Sequence, residues 1–592
     1  MEKNKSWNWS LKELYSSFDS PEFKKDMEDV SKQIKGLRDW AKENFATRER
    51  EGEKIEEYLK LTDMVKFYGL MSFSSLSLST DSENISAIKS LDILMKMSAE
   101  MTDPNVLFDK YVAECENLDK YIQGSSFLKE HEFYLKEKKE KAKYQLSDKE
   151  ESLIAKLRNT GSGAWSQMKE QLAATVSADI NIDGKDQELT LSMVRNLAKD
   201  ESGDVRKKAY EAELKSYKKI DKAVAASLNA IKGEVITLCE MRGYASPLEM
   251  TVKQSRLDME TLEAMLSAMK DFLPVFHKFY RYKAEMLGHK NGLPWFDILA
   301  PVGSVSMKFT IEEAADYIVK NFSDFSEKLG KFARHAFDND WIDVFPKKGK
   351  RGGAFCAGVQ PLKESRILTN FDGSFDAMLT LAHELGHGYH NLCLKEQSAF
   401  NKSVPMPVAE TASTFCETLV ARAALKTASK EEAFVIRDND ISGNAQVIVD
   451  IYSRFLFEDE VFKRRAKGSL SVDELNDIMI DSQKKSYGDG LDHNYLNPGM
   501  WINKTHYYSG TRSYYNFPYA YGQLFALGLY AQYVAEGKSF TAKYDDMLAA
   551  TGKNTLADIG KLMGIDVKDK NFWVSSLKII EKEIKEFCGF EA

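Results

Sequence analysis

The sequence predicts a mostly α-helical protein, and three observations carry that prediction. Charged and apolar residues recur at helical spacing through long stretches, prolines number only 12 in 592 residues, and β-favouring runs are confined to two short places. Hydrophobic content of 43% and charged content of 29% are ordinary for a globular chain, and the length allows several cores.

Taken in order, Asp19-Ser-Pro-Glu is a helix start with Pro21 in the first turn. Helical patterns follow over residues 26–43, 54–71 and 146–158. Residues 130–143 are crowded with Lys and Glu and read as a solvated helix face. β-Favouring residues 173–182 lead into Asp183-Gly184 and then residues 185–191, which is the pattern of a two-stranded hairpin. A domain boundary is placed there, giving an N-terminal helical domain over 1–185 and a second domain over 186–592. Helices are expected again over 205–230, 259–287 and 311–337, with an irregular stretch over 288–310. The basic loop 347–353 reads as a solvated turn, the alternative being contact with a substrate carboxylate. Residues 353–358 and 366–371 read as short strands running up to the next helix.

That helix carries the chemistry. Leu381-Ala-His-Glu-Leu-Gly-His-Gly-Tyr-His390 places His383, Glu384 and His387 in the order His-Glu-x-x-His. Residues four apart share a helix face, so both imidazoles can converge on one metal ion while Glu384 points at its open position. Two nitrogen ligands, a water and a carboxylate base are what a zinc hydrolase needs. With nine histidines in the chain, chance would produce this pattern in about one such sequence in a hundred. His131-Glu132 begins the same pattern but is followed by Leu135, and reads as a solvated surface pair.

A His₂ site wants one more protein ligand. Pro407-Val-Ala-Glu-Thr-Ala-Ser-Thr-Phe-Cys-Glu417 is a second helix start with two carboxylates. Glu410 lies 410 − 387 = 23 residues beyond His387, room for an antiparallel return, and Glu417 is two turns further on the same face. Spacing favours Glu410 over Glu417 only modestly, the other being a partner that could orient a histidine. Farther on, residues 506–522 are rich in tyrosine, behind His506; a Tyr hydroxyl or His N–H could stabilise an oxyanion, or the stretch could be packed core.

The formal net charge of −8 speaks against a polyanion such as nucleic acid. The apolar run 524–535 is too short to span a membrane, and the chain start lacks the apolar core of a signal peptide, so a cytoplasmic location is expected. Six scattered cysteines argue against a disulfide framework, and Cys393 and Cys416, which flank the site, read as buried thiols rather than ligands.

Together, Ala382–Gly388, Glu410–Glu417, Tyr514–Gly522 and His506 resemble the thimet oligopeptidase and oligoendopeptidase F group of zinc metallopeptidases. Asn159-Thr-Gly-Ser-Gly-Ala-Trp-Ser166 and Arg242-Gly-Tyr-Ala-Ser-Pro247 add to the resemblance, which spans nearly the whole chain. It implies a large helical metallopeptidase with a small β-sheet beside the motif helix and a deep substrate channel or cleft. It also implies one zinc ion held by His383, His387 and Glu410, with Glu384 as general base. The oxyanion helpers it implies are His506 and a tyrosine, Tyr519 first, with Tyr515 and Tyr521 behind it. The activity implied is endopeptidase cleavage of short unstructured peptides. A zinc exopeptidase or a non-catalytic peptide-binding protein are the alternatives, and Glu384 argues against the last.

Overall fold

Ser20 opens the first long helix: its hydroxyl accepts from the Phe23 amide and Pro21 fills the first turn, so α1 runs Pro21–Asn44. The structure is a computed structural model that describes residues 5–303 and 307–589. Residues 1–4 of the chain start, and 304–306 of the irregular stretch, lie outside it.

Helices dominate, but three stretches expected as single helices are each two. Residues 54–71 divide into Glu51–Asp63 and α2, Phe67–Thr80. Ile55, Tyr58 and Leu59 of the first pack with Phe108 and Tyr111, whereas Leu70 and Phe73 of the second pack with Phe23 and Val30. Two separate apolar clusters require a bend between them. Residues 205–230 divide in the same way into α3, Gly203–Tyr217, and α4, Asp221–Met241. Ala209 and Ala212 of α3 cover Ala178 and Ile180, while Val224 and Leu228 of α4 enter a different cluster. The strands carrying Ala178 and Ile180 are β1, Ser177–Ile182, and β2, Lys185–Thr190, paired antiparallel. Asp183 and Gly184 both have positive φ, 51° and 77°, as a two-residue hairpin turn demands. Residues 173–175, expected to begin β1, instead finish the helix Ser162–Thr175.

Downstream, α5 (Met259–Met286) starts on Asp258, whose carboxylate accepts from the Thr261 amide. The third divided stretch, 311–337, is α6 (Ile311–Phe325) and α7 (Glu327–Asp338). Ser326 between them is extended, φ −148°, and its hydroxyl caps α7 by accepting from Leu329. A capping serine inside a continuing apolar pattern is a stop as well as a start.

A three-stranded sheet follows, built from β3 (Ile342–Asp343), β4 (Phe355–Val359) and β5 (Glu364–Leu368) in the order β3-β5-β4. β3 runs parallel to β5 and β4 antiparallel to it, leaving β4 at the edge. β3 was not expected; two residues are too few to show a period. Residues 7–10 run beside it, with Val344 N donating to Trp7 O at 2.9 Å and Ser10 N to Asp340 O at 2.7 Å. The basic loop is not a solvated turn throughout. Lys350 is buried against Asp343 at 2.7 Å and Lys347 pairs with the same carboxylate at 2.9 Å. Asp343 is itself buried, and a carboxylate out of water needs such partners.

The remaining framework helices are α8 (Phe375–Cys393), α9 (Thr411–Thr427), α10 (Ile451–Arg465), α11 (Val472–Tyr487), α12 (Phe517–Glu536), α13 (Ser539–Ala550) and α14 (Lys570–Cys588). Apolar residues of α5 to α9, α12 and α14 share one large core around α8. Residues 524–535 lie inside α12, and no helix among the described residues is long and apolar enough to cross a membrane. His131, expected on the surface, is 1% exposed: its Nδ1 donates to Phe127 O at 2.8 Å and its ring lies against Phe127 and Phe400. Glu132 beside it pairs with Lys129 and Lys136.

Candidate metal centre

Ser374 caps α8 by accepting from the Ala377 amide, and the helix runs unbroken past His383 and His387. The two imidazoles stand one turn apart, ring centroids 5.0 Å and planes 82°. Glu410 sits at the joint between the short turn Met406–Ala409 and α9. Gly386 brings the two helices together: a Cβ on it would lie 2.6 Å from Ala412 O. Only glycine allows so close an approach.

The outcome is that one carboxylate oxygen of Glu410 meets both histidines, 3.2 Å from His383 Nε2 and 3.4 Å from His387 Nε2. One ligand atom from each of these three side chains lies within 4.8 Å of the other two. Ligands about 2.0–2.1 Å from a tetrahedral zinc lie roughly 3.3–3.4 Å from one another. The measured spacings match, and two imidazoles with one carboxylate are a donor set that zinc accepts.

The two glutamates favour positive charge between them. Burial works against charge on His383, but Glu410 and Glu417 override it and hold the imidazole up at about 10. Burial also works against the Glu410 carboxylate, yet the two histidines keep it well below the usual range. Glu384 is 6% exposed and its Oε2 has no hydrogen-bond partner. Burial pushes its carboxyl up, against the pull of His383 and His387. A buried carboxylate oxygen without a donor is an opening for water or a cation.

Glu417 reaches the other side of the same ring: His383 donates from Nδ1 to Glu417 Oε2 at 3.1 Å. That bond orients the ring and leaves Nε2 directed at Glu410. Cys416 is buried and Cys393 half-buried, and the three-residue group contains neither.

A cavity of about 520 Å³ opens over these residues. Phe355 and Cys356 of the edge strand β4 form one side, and His390, Asn391 and Leu394 extend it along α8. Asn391 donates to Ser365 Oγ at 3.1 Å, tying α8 to the sheet. His390 is 4% exposed with Nε2 2.8 Å from Thr551 Oγ1, and burial lowers it to about 4, so it stays neutral. Sequence reasoning passed over His390, although its position one turn after His387 was a signal. Lys402, which also lines the cavity, had none.

The tyrosine-rich segment divides. His506, Tyr515 and Tyr519 form one half-buried group, with His506 5.3 Å from Tyr515 and 6.1 Å from Tyr519 between ring centroids. Tyr519 lies in the first turn of α12, and Gly522, one turn on, packs against Pro407 O and Glu410 Cβ. Burial, Tyr515 and Glu410 together raise the Tyr519 hydroxyl to about 12. Tyr521 points elsewhere: it is fully buried against Trp573, centroids 5.1 Å apart. Tyr514 is core as well, donating to Asp459 at 3.1 Å.

The sequence profile described as peptidase family M3 matches residues 196–579, which include every residue of this site, and that of oligopeptidase F matches 113–177. The chain belongs to peptidase family M3. Relatives of this M3 peptidase include oligopeptidase PepF of Bacillus subtilis, 26% identical over 80% of this chain and 71% of that one. An oligoendopeptidase F homologue of Borreliella burgdorferi is 22% identical over 99% and 98%. Among solved structures, a candidate peptidase from Chlamydophila abortus superposes with a TM-score of 0.83 at 18% identity, covering 98% of both chains. The oligoendopeptidase F of Enterococcus faecium gives 0.68 at 16%, covering 96% and 98%. The shared fold covers 96–98% of this chain, and membership of family M3 makes the protein a metallopeptidase.

Proposed function

We propose that this M3 peptidase is a zinc endopeptidase that cuts internal bonds of short unstructured peptides. The convergence of His383, His387 and Glu410 at 3.2 and 3.4 Å carries the reading. Zinc held by these three side chains would supply Lewis acidity at the scissile carbonyl and lower the pKa of water. Glu384 is the general base: it takes a proton from the attacking water and delivers it to the leaving amine nitrogen. Its raised carboxyl and unpartnered oxygen suit both halves of that task. Glu417 holds the His383 ring through Nδ1. His506 and Tyr519 are the donors to the developing oxyanion, supported by their mutual contact and the placement of α12 against Glu410.

The substrate lies extended along β4, whose free edge borders the cavity, and is held by main-chain hydrogen bonds that tolerate many sequences. Residues 1–185 form a helical domain that restricts a channel or cleft to short peptides, and 186–592 form the catalytic domain. Two apolar clusters drawn almost wholly from the first 135 residues support a separate N-terminal unit, although the β1–β2 pair crosses the boundary at 185. Six unpaired cysteines support a reducing, cytoplasmic setting.

The test is a fluorescence-quenched peptide carrying blocked ends. Cleavage at an internal bond, abolished by chelator and restored by zinc, is the expected result. An enzyme that ignores the blocked peptide but trims its free-ended counterpart would be an exopeptidase, and this proposal would fail. Glu384→Gln should keep its zinc while turnover drops by about 10²–10⁴.

A further inference from the structure

Away from the metal residues, a second cavity of about 240 Å³ lies among α3, α5, residues 295–299, 442–450 and the segment leading to His506. Its charges are almost all matched. Arg206 pairs with Asp297 at 2.7 Å and Arg195 with Glu213 at 3.5 Å. Glu213 also accepts from Tyr217 and Asn503, and Asp450 from Arg454, Gln446 and Tyr487. Lys504 is the exception. Among the described residues no carboxylate lies within ion-pair distance of its ammonium, although it lines the cavity. Burial and the neighbouring Arg454 push it down to about 8, and the carboxylates of Asp450 and Glu213, beyond ion-pair distance, offset this only in part. Neutral polar atoms of the same wall are also unanswered: Asn503 Oδ1, Ser442 Oγ and, most deeply buried, Oδ1 of Asn497, which is 2% exposed. The rest of the wall includes the rings of Tyr280, Trp295 and Phe296.

A half-buried ammonium without a counter-ion costs free energy that an incoming anion would relieve. An acceptor amide beside it suits an N–H, and aromatic walls suit an apolar body. We propose that this cavity binds an amino-acid unit with a free α-carboxylate, the carboxylate on Lys504, the α-nitrogen toward Asn497 and the side chain against the rings. Peptide hydrolysis releases a new α-carboxylate at each cut, so the reaction's own products carry this group. The site shares no residue with the metal centre, and its occupancy stands or falls apart from the proposed zinc chemistry.

Isothermal titration of the intact, chelator-treated chain removes carboxylate binding at the metal from the readout. N-acetyl-L-phenylalanine, which imitates a peptide C-terminus, and free L-phenylalanine are the probes, and L-phenylalaninamide is the control without a carboxylate. Saturable binding of either acid with Kd on the order of millimolar or tighter is expected, with the amide at least about tenfold weaker. Preference for the acetylated acid assigns the site to peptide ends, and preference for the free acid to amino acids. Lys504→Met should abolish acid binding and Lys504→Arg should keep it. Equal binding of acid and amide, or none at all, overturns the proposal without recourse to any variant. So does undiminished binding by a folded Lys504→Met protein.

Discussion

Gly386 lies so close to Ser413 that a Cβ on the glycine would sit 2.6 Å from the Ser413 Cα. The three nearest atoms, Ala412 O, Ser413 Cα and Ser413 N, are all backbone of α9, which cannot swing aside as a side-chain tip could. Gly386→Ala must therefore push α9 away from α8, and Glu410 moves with α9. The expected cost is about 1–3 kcal/mol of stability, typical of overpacking. Zinc affinity should fall by more than about tenfold, since ligand placement is lost with it. Urea unfolding and competitive zinc titration check the two halves, and an unchanged zinc affinity would show that helix contact does not set the ligand geometry.

Glu417 touches His383 only through the ring nitrogen that faces away from Glu410. Glu417→Gln keeps a hydrogen-bonding group of the same size but removes its charge. Loss of such a partner typically lowers metal affinity or activity by about 10–100-fold. Glu410→Gln should lose far more, because it removes the negative charge of the one carboxylate that both histidines face. Zinc content after dialysis against a graded chelator series ranks the two, and the reverse ranking would exchange their roles.

The order of these two glutamates shows what the sequence could and could not carry. A helical motif announces itself because its residues lie four apart, so the site on α8 was readable residue by residue. Spacing separates Glu410 from Glu417 only modestly, because a continuous helix through both would put them on one face. In fact Glu410 sits at the joint before α9, a position that only the packing of Gly386 and Gly522 defines. The divided helices follow the same logic. Periodicity reports that a face is apolar, not which of two clusters it enters, and so it gives no sign that Leu59 and Leu70 part company. Burial of His131 and Lys350 depends on partners that the local pattern does not show: Phe400, far along the chain, for the one, and for the other the Asp343 carboxylate, seven residues away but held in the sheet.

Lys232 and Glu458 are both about 1% exposed, 2.6 Å apart, and link α4 to α10. Glu458 also accepts from Asn516, whose own Oδ1 accepts from the first amide of α12. Removing one partner strands a buried charge, so Glu458→Leu or Lys232→Met alone should destabilise by about 3–5 kcal/mol. The double variant should recover most of that loss, because no charge is then left unpaired. Chemical denaturation of all four proteins completes the cycle. Additive losses would mean that the pair does not interact.

His390 supplies a pH dependence with a definite sign. Its folded value of about 4 lies below the ordinary 6.5 because burial disfavours the imidazolium. Below pH 6.5 the unfolded chain takes up a proton that the folded chain refuses, so stability falls as pH drops and the fall ends near pH 4. The full loss is about 3 kcal/mol, since each pH unit separating the folded and unfolded values is worth about 1.36 kcal/mol. Urea midpoints of the wild type and His390→Gln across this range isolate the contribution. The two curves should converge as pH falls, and parallel curves would show that His390 is not held neutral.

The tyrosines of the late segment should differ by function rather than by position in a motif. Tyr521 is wholly buried against Trp573 and its hydroxyl has no partner. Tyr521→Phe removes an unsatisfied polar group, so both stability and turnover should hold or improve slightly. Tyr519 keeps its ring in the half-buried group with His506 and Tyr515, on the helix that packs against Glu410. A hydroxyl that donates to the oxyanion acts in the transition state more than in the ground state. Tyr519→Phe should then lower kcat by about 10²–10³ with little change in KM. Tyr515→Phe separates the remaining possibility: if Tyr515 is the donor, the kcat loss moves to that variant and Tyr519→Phe is nearly silent. A loss confined to KM in either case would mean that the ring positions peptide and the hydroxyl takes no part in the chemistry.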